Sequence, residues 1–362
     1  MIKLIHAADL HLDSPFSGLS PEQAAARRQE QRELLGRLSE LVRERKADAL
    51  LLSGDLLDTG RAFRETAETL AAQLQNVDCP VFITPGNHDF FHSGSPYATV
   101  TWPKNVFIFT KEQMEPVEFP EKNVCFYGAA FLSSHQDISP LTHFRAPVDG
   151  RIHIGVLHGD VDGLGSYGPV LRADIAACGL HYLALGHVHQ YSGLQKEGKT
   201  FWAYPGCPEG RGFDELGEKG VLYLEVEDDQ VREEFISLCK RQYHICSVDI
   251  TGQSDLMQTI QNTLPTNTQN DIYRILLTGE RPSSLNLPQL QQELEGSFYS
   301  LTLRDQTRAP RQLWARKDED TLTGLFLQEM FSQCQQDPDN EMLQLAVRFG
   351  LAALEGEEDL YP

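Results

Sequence analysis

Cysteine is sparse in this chain of 362 residues: seven copies, scattered, with no Cys-x-x-Cys pair among them. That spacing excludes a cysteine-type structural zinc site and argues against a disulfide framework, so the expected compartment is reducing and the expected location cytoplasmic. No uninterrupted apolar run reaches the roughly 18 residues of a membrane span, and no membrane association is expected. The opening Met1-Ile2-Lys3-Leu4-Ile5-His6 lacks a long apolar core and a small-residue cleavage site, and reads as a first strand, not a secretion signal. Basic charge is short as well, with 31 Lys and Arg against 52 Asp and Glu, a formal charge of −21. A generic polycation that grips nucleic acid by its phosphates is thereby excluded. Binding through a local basic patch or a bound metal is not.

What is present is ordinary for a folded protein, with 41% hydrophobic and 23% charged residues. The length exceeds the roughly 250–300 residues at which one core stops growing, so a large domain and something smaller are expected. Over residues 1–240, short β-branched or Leu-rich runs alternate with helical stretches. Ile2–Ala7, Ala49–Ser53, Val81–Thr84, Ile152–Leu157 and Tyr182–Leu185 read as strands. Pro21–Lys46 reads as a long helix with Pro at its start and Leu34, Leu35, Leu38, Leu41 and Val42 on one face. The texture changes after Arg241. Residues 241–306 read as a small β-α-β-α-β unit, 307–320 as a polar linker, and 321–362 as a C-terminal helical segment with an acidic tail. The apolar set Leu325, Phe326, Met330, Phe331, Leu343, Ala346, Val347 and Leu351 either packs on its own domain or docks a partner.

Five polar motifs sit just beyond predicted strands: Asp9-x-His11, Gly54-Asp55-x-x-Asp58, Gly86-Asn87-His88-Asp89, His158, and Gly186-His187-x-His189. Ligands gather at the carboxyl ends of strands in α/β architectures, so these side chains can converge. Taken singly, each motif is a turn, a cap or a polar strand end; it is the ordered set that points to chemistry. Asp9, His11, Asp55, Asn87, His158, His187 and His189 exceed what one catalytic ion can use while keeping positions open, so two metal ions are expected. Imidazole and oxygen donors without thiolate suit manganese, iron or zinc better than calcium or copper(I) and do not choose among the three; manganese is the first expectation. The i, i+2 spacing of Asp9 with His11, and of His187 with His189, predicts side chains on one side of an extended chain. Asp55, with two carboxylate oxygens, suits a bridge.

This ordered set resembles the calcineurin-like metallophosphoesterase superfamily, and the resemblance spans residues 1–240. It implies an α/β fold, a four-layer αββα sandwich with two metals at one edge. It also implies that Asp9, His11, Asp55 and His189 hold one ion, and that Asp55, Asn87, His158 and His187 hold the other. A closer resemblance is to SbcD-type DNA repair nucleases, carried by Asp9-Leu10-His11-Leu12-Asp13-Ser14-Pro15-Phe16 and by Tyr204-Pro205-Gly206-Cys207-Pro208-Glu209, where Ser is commoner than Cys at 207. It implies that 241–306 is a capping domain, that DNA is the substrate, and that an SMC-like coiled-coil ATPase of the SbcC type is the partner; a homodimer is also compatible. Some nucleases of this type carry His where Asp58 stands, so the particular nuclease activities are open.

The expected reaction is hydrolysis of a phosphodiester by metal-activated water. His88, beside a ligand but not itself one, is the candidate general acid for the departing oxygen. The superfamily resemblance implies that Asp58 orients His88; its alternative is a helix cap. Arg61, Arg64 and Arg211 lie near the motifs and either meet a phosphate backbone or are plain surface charge. Two other functions remain in view: a phosphodiesterase for small cyclic or dinucleotides, which the acidic composition suits, and a metal-bound scaffold without activity.

Overall fold

Ala49–Leu52 carries no polar side chain, which suits only a strand covered on both faces, and all four residues are buried. The computed structural model describes residues 1–58, 64–163, 165–282, 285–309, 311–337 and 340–355. They form two compact units, Met1–Gln242 and Tyr243–Pro362.

In the first unit the chain runs β1 (Ile2–Ala7), α1 (Pro21–Arg45), β2 (Ala49–Leu52), α2 (Arg64–Leu74), β3 (Val81–Ile83), α3 (Pro96–Thr99), β4 (Val106–Ile108), β5 (Glu115–Phe119), β6 (Val124–Gly128), β7 (Ile152–His158), β8 (Asp160–Val161), β9 (Pro169–Val170), α4 (Arg172–Ala177), β10 (Tyr182–Gly186), β11 (Gln195–Glu197), β12 (Thr200–Ala203), β13 (Gly220–Val226) and β14 (Val231–Ser237). Two six-stranded sheets result, in the orders β14-β13-β1-β2-β3-β4 and β11-β12-β10-β7-β6-β5. Leu4, Leu51 and Phe82 of the first sheet share one core with Phe126, Ile154 and Tyr182 of the second. On the outer face of the first sheet, Ile5, Leu50 and Leu52 pack against Leu35, Leu38 and Leu41 of α1 and Leu70 of α2. The outer face of the second buries Leu157, Leu183 and Leu185 against Ile175 of α4. The layers are therefore αββα, the architecture expected from the motifs.

Helix α1 begins where its sequence says it should. Ser20 accepts from the Gln23 amide, Gln23 reaches back to the Ser20 amide, and Pro21 fills the first turn. Strands β1, β2 and β3 are mutually parallel, as are β7 and β10. Each ends at one of the polar motifs.

The second unit holds a parallel sheet in the order β15 (Tyr243–Asp249), β16 (Ile272–Thr278), β17 (Ser300–Asp305), with α5 (Leu256–Thr263) and α6 (Leu287–Leu294) as its crossovers. Val248, Ile275 and Leu277 pack beneath Ile260 of α5 and Leu290 and Leu294 of α6. The same unit contains α7 (Leu322–Gln336) and α8 (Glu341–Glu355). The stretch expected to be a polar linker forms a 3-10 turn over Arg311–Asp318, and Trp314 packs on Phe331 at 5.3 Å between ring centroids. Its one tryptophan and one leucine are apolar enough to join the core that Met330, Cys334 and Val347 build. The acidic tail beyond Glu355 lies outside the described residues.

Candidate metal centre

All seven predicted ligands lie at the carboxyl-terminal edge of the two sheets. Asp9 and His11 follow β1, Asp55 follows β2, Asn87 follows β3, His158 ends β7, and His187 and His189 follow β10. The first sheet thus brings Asp9, His11, Asp55 and Asn87, and the second brings His158, His187 and His189.

The route by which Asp9 and His11 converge differs from expectation. Extended alternation does not place them, because Asp9 (φ +54°) and His11 (φ +42°) are both left-handed, as is Asp55 (φ +51°); His187 is also at positive φ (+110°). Such a backbone costs a residue with a Cβ about 1–2 kcal/mol, and it persists here because the surrounding hydrogen bonds over-determine it. The Asp9 amide donates to the Gly54 carbonyl (3.0 Å) and the His11 amide to the Asp55 carbonyl (2.9 Å), so the two loops brace each other.

Glycines let the motifs approach. A Cβ on Gly86 would stand 2.2 Å from Asp55 Oδ1, and one on Gly186 would stand 1.8 Å from the Ser53 carbonyl oxygen. Gly186 therefore marks the place where the end of β10 touches the end of β2, sheet against sheet.

The polar atoms crowd together. His11 Nε2 faces His189 Nε2 at 3.2 Å. Asn87 Oδ1 lies 2.9 Å from His158 Nε2 and 3.2 Å from His187 Nδ1. Asp55 Oδ2 is 3.4 Å from His158 Nε2 and 3.8 Å from His11 Nε2. Asp9 Oδ1 is 3.9 Å from His189 Nε2, and the His187 amide donates to both Asp9 oxygens at 3.1 Å. Candidate ligand atoms of Asp9, His11 and His189 fall within 4.8 Å of one another, and so do those of Asp9, Asp55 and His158.

Electrostatics oppose this crowd without a cation. Burial raises the Asp9 carboxyl to about 6 despite the histidines nearby, and lowers His11 to about 3 and His187 to about 4. Burial works against ionisation at Asp55 and His158 too. At those two the mutual charge interaction prevails, holding Asp55 well below the carboxylate range and lifting His158 to about 9. Two carboxylates, each 1% exposed, sit among four imidazoles. Two ring nitrogens at 3.2 Å share at most one proton, whereas a dication accepts both lone pairs. The donor set, imidazoles and oxygens without thiolate, fits two divalent ions of the borderline class.

Around this core stand the two remaining predicted residues. His88 Nδ1 lies 3.4 Å from Asp58 Oδ1, and the His88 amide donates to Asp55 Oδ1 at 2.9 Å. The hydrogen bond to Asp58 is the main cause that raises the His88 imidazole above its ordinary value. His11, Asp58 and His88 also offer ligand atoms within 4.8 Å of one another.

Other residues escaped the sequence reading. Asp89 is buried and accepts from the Gly86, Leu56 and Leu57 amides and from the Tyr97 hydroxyl, clamping the Asp55 loop to the Asn87 loop. It closes the Gly86-Asn87-His88-Asp89 motif, so its signal was in view. Glu215 gave none. Its Oε1 lies 2.8 Å from His189 Nδ1 and 2.6 Å from Arg211 Nη2. Of the three arginines offered to a phosphate backbone, Arg211 is therefore engaged with Glu215, Arg64 pairs with Glu68 on the exposed side of α2 at 2.7 Å, and Arg61 lies outside the described residues.

Comparison with known proteins agrees with the geometry. The Calcineurin-like phosphoesterase family model matches residues 2–191. An uncharacterized metallophosphoesterase of Bacillus subtilis, YhaO, is 32% identical over 278 residues, covering 72% of this chain and 67% of that one. The SbcD component of the SbcCD nuclease of the same organism is 24% identical over 258 residues, covering 60% of this chain and 64% of its own. The DNA double-strand break repair protein Mre11 of Methanopyrus kandleri is 23% identical over 246 residues, covering 63% of this chain and 51% of its own. This chain thus spans about half to two thirds of the length of these relatives. With the motifs gathered at one edge of an αββα sandwich and the family model spanning more than half of the chain, the protein belongs to the calcineurin-like metallophosphoesterases and is a metal-dependent phosphoesterase.

Proposed function

We propose that this phosphoesterase hydrolyses the phosphodiester bonds of DNA as the nuclease component of a repair assembly. Asp9, His11, Asp55 and His189 hold one ion, and Asp55, Asn87, His158 and His187 hold the other. The observation that carries the two-metal reading is the facing of His11 Nε2 and His189 Nε2 at 3.2 Å beside the buried carboxylates Asp9 and Asp55. The choice of DNA is supported by similarity to the SbcD component of SbcCD and to Mre11.

Two bound dications, manganese first and iron or zinc next, would neutralise phosphate oxygens and acidify the attacking water. The chain's own groups do the remaining work. Asp58 fixes the His88 ring through Nδ1 and favours its protonated form, which would supply the proton for the departing oxygen. Asp55 Oδ1 holds the His88 backbone in turn, so ligand and acid are registered to each other.

A coiled-coil ATPase partner is supported by the exposed apolar side chains Leu322 and Leu325 on α7 and Met342 and Phe349 on α8. No helix among the described residues is long and apolar enough to cross a membrane, and the scattered, unpaired cysteines support a reducing, cytoplasmic setting.

The net charge of −21 favours a second reading, a phosphodiesterase for small cyclic or dinucleotides. One experiment separates the two: manganese-dependent product formation from single-stranded DNA, blunt duplex DNA and a cyclic dinucleotide. DNA cleavage at the higher kcat/KM is expected, and preferential hydrolysis of the cyclic dinucleotide would replace the DNA reading with the second.

A further inference from the structure

The loop between β12 and β13 takes hold of one histidine at both ends. His189 presents its carbonyl oxygen to the Lys219 ammonium at 3.1 Å, and to the amide and thiol of Cys207 at 3.4 and 3.6 Å. Its ring nitrogen Nδ1 meets Glu215 Oε1 at 2.8 Å. Lys219, Cys207 and Glu215 are all buried, while the His189 side chain between them is half-buried. The other ring nitrogen, Nε2, points to His11 and Asp9.

Arg211 competes for the same ring nitrogen. Its Nη2 lies 3.0 Å from His189 Nδ1. Guanidinium only donates, so that contact would require a bare Nδ1 and a proton on Nε2, whereas Glu215 only accepts and requires the reverse. The two contacts exclude each other as hydrogen bonds. Arg211 Nη2 already donates to Glu215 Oε1 at 2.6 Å, and the Arg211 amide donates to Glu215 Oε2 at 2.7 Å. The carboxylate is thus satisfied on both oxygens, and Arg211 reinforces its charge without needing the ring. Glu215 is the nearer partner of Nδ1 and a charged acceptor, so the proton sits on Nδ1 and the Nε2 lone pair is left for an ion.

We propose that Glu215 is a positioning residue for the metal ion held by Asp9, His11, Asp55 and His189. It fixes the His189 tautomer and ring plane and makes Nε2 a stronger donor. The proposal rests on the two-metal reading above. It assigns a distinct task to the 204–219 loop: one of the two ions depends on it, while the ion assigned to Asn87, His158 and His187 does not. An outer carboxylate of this kind is worth about 10–100-fold in metal affinity.

The test uses the whole chain and manganese(II) alone. Titration calorimetry should show Glu215→Ala binding one ion as the wild type does and the other about 10–100-fold more weakly. Glu215→Gln retains an acceptor for Nδ1–H and should recover part of that loss. Nitrogen NMR of the metal-free wild type should report the proton of His189 on Nδ1, and the alanine variant should move it toward Nε2. Thermal melts of the metal-free variants separate folding from metal affinity. Two ions bound by Glu215→Ala at wild-type affinity would overturn the proposal, and so would equal weakening of both ions. If the alanine variant does not fold, a wild-type His189 with its proton on Nε2 overturns it alone. A wild type that takes up two ions but cleaves no DNA removes the substrate assignment and leaves this inference standing. A wild type that takes up none removes both.

Discussion

Adding one methyl group at position 186 should split the site along the line between the two sheets. Gly186 ends β10, and a Cβ there would lie 1.8 Å from the Ser53 carbonyl oxygen and 2.9 Å from Ala8 Cβ. An ordinary contact is about 3.5 Å, so relief requires a shift of about 1.5 Å or more. Neither neighbour is the far end of a flexible chain; one is backbone and the other the Cβ of a buried alanine. The Ser53 carbonyl also receives His158 Nδ1 at 2.9 Å, so the shift cannot be absorbed without moving that candidate ligand. The first sheet carries Asp9, His11, Asp55 and Asn87, and the second carries His158, His187 and His189. Moving the sheets apart by this amount therefore lengthens the Asp55–His158 and Asn87–His187 spacings together. Overpacking of this kind costs about 1–3 kcal/mol. In a unit of this size that lowers the melting temperature by about 2–4 °C per kcal/mol, while a misplacement of about 1 Å costs about 100-fold in rate. Differential scanning calorimetry and manganese titration of Gly186→Ala are the assays. A variant with wild-type melting temperature, two tightly bound ions and full turnover would refute the claim that this contact holds the two half-sites in register.

Three further outcomes are expected. His88→Ala should keep both ions and lose about 100–10,000-fold in kcat on phosphodiester substrates; unchanged turnover with intact metal content would remove His88 from the reaction. Asp55→Asn should lose bound manganese, measured by elemental analysis, as well as activity, and full retention of two ions would dismiss Asp55 as the bridge. Stability should also fall in acid through Glu30. Burial opposes ionisation of this carboxyl, but Arg241 at 2.8 Å and Arg27 at 2.6 Å outweigh it and hold its pKa below the ordinary value. A lowered folded value means that Glu30 stabilises fully above the unfolded carboxylate value of about 4.3 and that this contribution is lost as pH falls through the folded value. Glu30→Gln should flatten that part of the melting-temperature curve between neutral pH and pH 3, and an unaltered slope would show the pairing to be without consequence.

Much of the fold was legible because its signals are local. Pro21, the Ser20–Gln23 box and the leucine stripe announce α1, uninterrupted apolar runs announce β2 and β10, and runs rich in Ile, Leu and Val announce β1 and β7. The candidate ligands were legible for the same reason, since a metal site calls for imidazole and oxygen donors and each motif carries one or both next to a strand end. The short strands β5, β8 and β9 were not, as two to five residues of mixed polarity give no period to read. Nor was the packing of Leu313 and Trp314, where neighbouring Arg and Lys disguise a Trp that joins a core.

By itself, the sequence determined which atoms are available: seven candidate ligands, an extra histidine with its aspartate, and glycines ahead of Asp55, Asn87 and His187. Order along the chain was enough to place them at strand ends. Tertiary structure alone decided how they face one another. The left-handed turns at Asp9, His11 and Asp55 exist because loops from neighbouring strands hydrogen-bond across the sheet edge, and Glu215 reaches His189 because a loop without periodicity folds back over it. Those are contacts between residues far apart in the chain, and neither spacing nor composition encodes a distance of that kind.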